Sequence, residues 1–153
     1  MIVVSDTSPL TALLSVGEAG ILTKLFREVV IPEGVRNELL RSHCPLPGWL
    51  RVAAVKDRTQ TARYAQIVDA GEAEAIELAR ELRADRLLID ERKGRNLAVK
   101  EGVPVIGLVG VVLLAKRQRL IPSARALLQR LDQDAGMYLS ENIREAALKT
   151  VGE

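Results

Sequence analysis

The apolar positions of the chain fall in short bursts separated by polar stretches. Ile2-Val3-Val4 runs into Ser5-Asp6, Val29-Val30-Ile31 stands before Pro32, Arg86-Leu87-Leu88-Ile89 stops at Asp90-Glu91, and Val103-Pro104-Val105-Ile106 precedes Gly107. Bursts that are apolar on both faces predict buried strands of a parallel sheet. Trp49 to Val55, with imperfect alternation, predicts a further strand. Between the bursts the spacing becomes helical. Leu10 to Leu14 opens a helix after Pro9 that Gly17 interrupts, and Ala19 to Phe26 makes a second helical piece. Pro32 suits the first position of a helix from Glu33 to about Leu40, where its missing N–H is not needed. His43 to Gly48, with two prolines, reads as a loop. Asp57 can cap a helix from Arg58 to Val68. The clearest helix begins at Gly71 and ends near Arg83. A basic helix covers Arg92 to Lys100, and an apolar one starts between Gly107 and Gly110 and ends near Lys116. Two more lie near Ser123 to Asp132 and, capped by Ser140, Glu141 to Val151. Strands alternating with helices predict one α/β domain over 1–153, in three layers, with a mostly parallel sheet and right-handed crossovers.

Composition narrows the class. A chain of 153 residues with 48% hydrophobic positions can bury a sizeable core and argues against disorder. The formal charge of +2, from 22 basic and 20 acidic residues, permits nucleic-acid binding without arguing for it. Aromatic residues make up 3%, which argues against the usual base-stacking platform. The single cysteine, Cys44, excludes an internal disulfide and a cysteine-rich zinc site and fits a reducing cytoplasm. Its neighbour His43 does not make a metal site with it. No apolar run reaches the roughly 18 residues of a membrane span, and nothing before Asp6 resembles a signal peptide.

Four acids are placed to meet. Asp6 and Asp90 each end a strand, and ligands of parallel sheets bind outside those carboxyl ends. Glu72 lies four residues before Ile76 and shares the core-facing side of its helix. Glu38 sits beside Leu39 on the helix after the second strand. Brought together, such carboxylates repel, and a divalent cation would relieve the repulsion. Oxygen-only ligands favour Mg2+ or Mn2+. That set suits phosphodiester hydrolysis. Glu74 and Glu91 are accessory acids, and Ser8 could hydrogen-bond to Asp6 or to water at the metal. Each residue also has a plainer reading. Asp6 could cap the helix at Pro9, Asp90 the helix that follows it, Glu72 and Glu74 could favour a helix dipole, Glu38 could be solvated, and Ser8 could be structural. The basic groups Arg92, Lys93, Arg95 and Lys100, and Lys116, Arg117 and Arg119, could hold a nucleic-acid backbone or face solvent. Gly107-Leu108-Val109-Gly110 lacks the spacing of a phosphate-binding glycine loop and reads as a tight turn with close packing.

Taken in order, these stretches resemble the PIN-domain superfamily, in a prokaryotic branch related to VapC-type toxin nucleases and formerly classed as a domain of unknown function. The resemblance rests on Val3-Val4-Ser5-Asp6-Thr7-Ser8-Pro9-Leu10, on Val30-Ile31-Pro32 through Val35-Arg36-Asn37-Glu38-Leu39, and on Gly71-Glu72-Ala73-Glu74-Ala75-Ile76. It continues through Leu87-Leu88-Ile89-Asp90-Glu91-Arg92-Lys93-Gly94-Arg95 and Val105-Ile106-Gly107-Leu108-Val109-Gly110, nearly the whole chain. It implies a three-layer α/β/α sandwich and an Mg2+- or Mn2+-dependent endoribonuclease with Asp6, Glu38, Glu72 and Asp90 as catalytic metal ligands. Glu74 competes with Glu72, and Glu91 with Asp90, for places the family usually gives to aspartate. It further implies an RNA substrate, an antitoxin partner and a homodimer. A catalytically inactive RNA-binding or protein-interaction module on the same fold is the alternative. Other phosphoryl chemistry is a third possibility, although neither a nucleophile elbow nor a phosphate loop is present.

Overall fold

The computed structural model describes residues 1–42 and 44–153. His43, weighed above as a ligand, lies outside them. In chain order the described elements are β1 (Ile2–Ser5), α1 (Thr7–Ser15), α2 (Ile21–Leu25), β2 (Glu28–Pro32), α3 (Glu33–Arg41), β3 (Leu50–Ala53) and α4 (Arg58–Tyr64). They continue with α5 (Ala70–Leu82), β4 (Arg86–Leu88), α6 (Arg92–Lys100), β5 (Val105–Ile106), α7 (Leu108–Arg117), α8 (Ala124–Ala135) and α9 (Glu141–Lys149).

The strands form one all-parallel sheet in the order β3-β2-β1-β4-β5. Alternation along each strand feeds two cores. Val3, Val29, Ile31 and Leu88 face one side, where they pack with α1, α2, α3, α7, α8 and Leu148 of α9. Val4, Val30, Leu87 and Ile89 face the other, beneath α5, α6 and Tyr64 of α4. The result is a three-layer α/β/α sandwich. Helices of the crossovers that move from β1 towards β3 lie on the first face, and those of the crossovers that return through β4 to β5 lie on the second. A single crossover hand requires that division. The direction of winding therefore reverses between β1 and β4, and the crevice of such a sheet opens there.

Several boundaries differ from the sequence reading. Helix α1 starts at Thr7 instead of after Pro9, because a proline in the first turn gives up only an N–H that has no helical partner. Pro32 closes β2 and stands just before α3. Asp57 caps α4 through the Gln60 amide at 2.9 Å, but that helix ends at Tyr64. Among the described residues no helix is long and apolar enough to cross a membrane.

Candidate active site

Asp6 follows β1 directly. Its amide donates to the carbonyl of Leu88 at 2.9 Å, so the β1–β4 ladder fixes the backbone under it. The side chain makes no capping hydrogen bond to α1, against the capping alternative. Asp6 is buried, and burial raises its carboxyl pKa to about 6. The nearby Thr7 amide pulls it down, while the charges of Asp69, Glu38 and Asp90 push it further up.

Glu72 reaches the same place from the first turn of α5. Asp69, the N-cap, accepts a hydrogen bond from the Glu72 amide at 2.8 Å. This is half of a capping box; the reciprocal bond from the Glu72 side chain to the Asp69 amide is not made. The freed carboxyl is buried, and its Oε2 has no hydrogen-bond partner. Its pKa rises to about 8, first through burial, then through a side-chain hydrogen bond with Asp69 and the charges of Asp69, Asp6 and Glu91. Asp69 is thus a fifth carboxylate of the cluster that the sequence reading missed. The Asp-x-x-Glu spacing of a capping box was the signal for it.

Close approach of backbones makes room for these side chains. A Cβ on Gly71 would collide with Glu38 Oε1, and one on Gly94 would stand 2.6 Å from Glu72 Oε2. Glu38 is half-buried on the second turn of α3, and its charge acts on Asp6. Glu74 points elsewhere: its Oε1 accepts from the Gly34 amide at 3.3 Å and ties α5 to the start of α3. Asp90 does not cap α6. Glu91 does, accepting from the Gly94 amide at 3.0 Å, while Asp90 Oδ1 accepts from the Leu108 amide at 3.0 Å and caps α7 from a distance. Burial raises the Asp90 pKa, against the lowering pull of that amide and of Arg95.

Ser8 is exposed, and no hydrogen bond among the described residues uses its hydroxyl. The serine beside Asp6 is the buried Ser5, whose Oγ donates to the Asp6 carbonyl at 2.9 Å. The hydroxyl of Thr7 is buried without a partner, a second orphaned group at this crevice that the sequence reading passed over. The two basic groups separate. Arg92 and Lys93 are exposed at the start of α6, directly after its cap Glu91. Lys116 and Arg117 end α7, roughly 12–13 Å along that helix from Leu108 at 1.5 Å per residue. There Lys116 donates to the Pro122 carbonyl at 2.8 Å and faces Glu153 at 3.7 Å.

The cluster is an all-oxygen donor set without a compensating cation at Asp6 or Glu72, which is the chemistry of a hard divalent-ion site. Among the described residues no three acidic, histidine or cysteine side chains converge closely enough to coordinate one ion as they stand. The orphaned Glu72 Oε2 fits an added cation.

The class these features define is an α/β/α sandwich with acids gathered near the reversal point of an all-parallel sheet. Within it, a family model described as a PIN domain matches residues 2–153, and the chain belongs to the PIN-domain family. PIN domains are in general nucleases. No curated protein and no solved structure matched the chain.

Proposed function

We propose that this protein is a divalent-metal-dependent endoribonuclease. The observation that carries the reading is the pair of buried, uncompensated carboxyls, Asp6 and Glu72, whose charges act on each other and of which Glu72 Oε2 has no hydrogen-bond partner. Asp6, Glu38, Glu72 and Asp90 would hold Mg2+ or Mn2+, with Asp69 and Glu91 behind Glu72. Such an ion supplies activation of water, polarisation of the phosphate and stabilisation of the leaving oxygen. The chain's own residues do the rest. The β1–β4 ladder fixes Asp6, and Asp69 fixes the first turn that carries Glu72. Arg92 and Lys93 attract the RNA backbone by charge. A toxin role with an antitoxin partner, a homodimer and a cytoplasmic setting belong to the same proposal.

The test is cleavage of RNA with Mg2+ or Mn2+, compared with chelator and with Asp6→Asn. Cleavage that needs the metal and vanishes in the variant is expected, and cleavage unchanged by Asp6→Asn overturns the assignment. A second reading, a non-cleaving RNA-binding module, draws on the engagement of both Asp90 and Glu91 as helix caps. It expects RNA binding without turnover under every metal condition.

A further inference from the structure

Beside the carboxylates, a cavity of about 720 Å³ opens between β5, the first turn of α7, and α9. Its walls are aliphatic: Val105 and Ile106 from the sheet edge, Val109 from α7 and Ile143 from α9. Gly110 keeps the floor low, since a Cβ there would stand 2.9 Å from Ile106 Cγ1. Ile143 is 58% exposed, so one wall of the cavity is an apolar side chain held out in solvent.

The mouth of this cavity is polar and adjoins the acid cluster. Asp90 and Arg95 meet over Gly107, where an added Cβ would lie 2.8 Å from Asp90 Oδ1 and 2.9 Å from Arg95 Nη1. Arg95 Nη1 donates to the Ile89 carbonyl at 2.9 Å, which pins the guanidinium at the rim. Its remaining N–H groups make no hydrogen bond among the described residues. Asp90 Oδ1 is taken by Leu108.

We propose that this cavity binds a guanine base of the RNA substrate, next to the phosphodiester at the carboxylates, and that Arg95 reads it. The proposal rests on the nuclease reading for its substrate. The aliphatic walls take the faces of a base in a chain with 3% aromatic residues to offer. A planar guanidinium donates two hydrogen bonds to the O6 and N7 acceptors of guanine, whereas adenine presents an N6 donor at the same edge. RNA recognition of this kind uses unstacked bases splayed from a single strand. A phosphate suits the cavity poorly, because its walls are apolar and Asp90 shares its mouth.

The experiment follows the methyl resonances of Ile106, Val109 and Ile143 while the metal-free protein is titrated with the four ribonucleoside monophosphates. GMP is expected to shift them at about tenfold lower concentration than AMP, and the shifts are expected to be lost in Arg95→Ala and Ile143→Trp. Ile143 is exposed, so Ile143→Trp keeps the test standing if Arg95→Ala fails to fold. Cleavage of oligoribonucleotides that differ at one base is then compared in the same proteins. No shift, equal shifts from all four nucleotides, or a cavity covered by a second copy of the chain overturns the inference. Guanine binding in a protein that cleaves no RNA retains the pocket and removes the nuclease reading. Cleavage that is blind to base identity and unchanged by Ile143→Trp removes the pocket and leaves that reading intact.

Discussion

Helix α5 carries two buried glutamates five positions apart, and they live in opposite conditions. Glu77 is fully buried, and Arg80, one turn on, grips both its oxygens at 2.8 Å. Asp57 faces the same arginine at 3.9 Å, so the pair ties α5 to the cap of α4. Glu72 is almost as buried, yet one oxygen has no partner and its neighbours are other acids. A buried charge is retained for structure when it is paired and hydrogen-bonded. One left among like charges destabilises the fold and calls for a ligand from outside. Burial alone therefore does not mark a functional acid; burial without a partner does.

The sharpest way to break this comparison is to exchange the two groups' fates. Glu72→Gln is expected to lower kcat/KM for RNA cleavage by on the order of 100-fold or more, the scale of losing one group that stabilises developing charge. Glu77→Gln is expected to leave cleavage near the parental rate at a temperature where both fold. Equal losses in the two variants would mean that Glu72 acts through the fold, as Glu77 does.

Stability should invert the ranking. Arg80→Ala leaves Glu77 buried and unpaired. Its cost is about 2–3 kcal/mol in chemical denaturation, below the roughly 3–5 kcal/mol of a fully buried pair because Arg80 is half-exposed. Glu72→Gln removes no partner and should not destabilise the protein at neutral pH. A loss there as large as that of Arg80→Ala would show that the contact of the Glu72 carboxyl with Asp69 holds the fold.

Where the sequence sufficed, the reason is local. The positions of Asp6 and Asp90 beyond the ends of β1 and β4 are legible because each apolar run stops at an acid. The three-layer sandwich follows from the alternation of strands and helices. Direction was not legible: Asp90 turns to α7 and Glu91 to α6, and adjacent acids in sequence carry no record of which helix each will cap. Asp69 escaped notice because the helix was read as starting at Gly71, which put its cap outside the element. Lys116 and Arg117 are legible at the far end of the helix that begins after Gly107, and α7 carries them away from Asp90 at its start. The pairing of Glu77 with Arg80 is a helix-spacing contact, but its complete burial is a product of α4 and α5 packing.

The pH dependence of stability is a smaller effect, and burial raises the pKa of Glu77 in the same direction as that of Glu72. Asp6 and Glu72 hold their protons more tightly folded than unfolded, with pKa values moving from 3.8 to about 6 and from 4.5 to about 8. The stability from that proton binding is complete below about pH 4 and is lost as pH rises through 6 and then 8. Metal-free protein should melt lower at pH 8 than at pH 5. Glu72→Gln should flatten that trend and raise Tm at pH 8 by about 3 °C, corresponding to ~1 kcal/mol for a chain of this size. Added Mg2+ or Mn2+ should raise the parental Tm more at pH 8 than at pH 5, because ligation releases protons. A Tm independent of pH over this range would remove the uncompensated carboxyls from the account.

The last comparison concerns the crossing of α3 and α5, where each helix lays a glutamate over a glycine of the other. Glu38 lies over Gly71 and Glu74 over Gly34. The contact is nearly reciprocal in shape but not in electrostatics. Glu74 has an amide to accept from, at 3.3 Å, and its charge is not among those that raise Asp6 or Glu72. Glu38 acts on Asp6. Glu74→Gln keeps an oxygen for the Gly34 amide and should change cleavage by about twofold or less and stability by roughly 0.5 kcal/mol, the range of a surface-level substitution. Glu38→Gln should cost on the order of tenfold in kcat/KM with a similarly small change in stability, as expected when one electrostatic contribution of about 1.4 kcal/mol is removed. The decisive quantity is the ratio of the two activities. A ratio near one would make Glu38 another helix strut, and the working acids would then be those carried by β1, α5 and the end of β4.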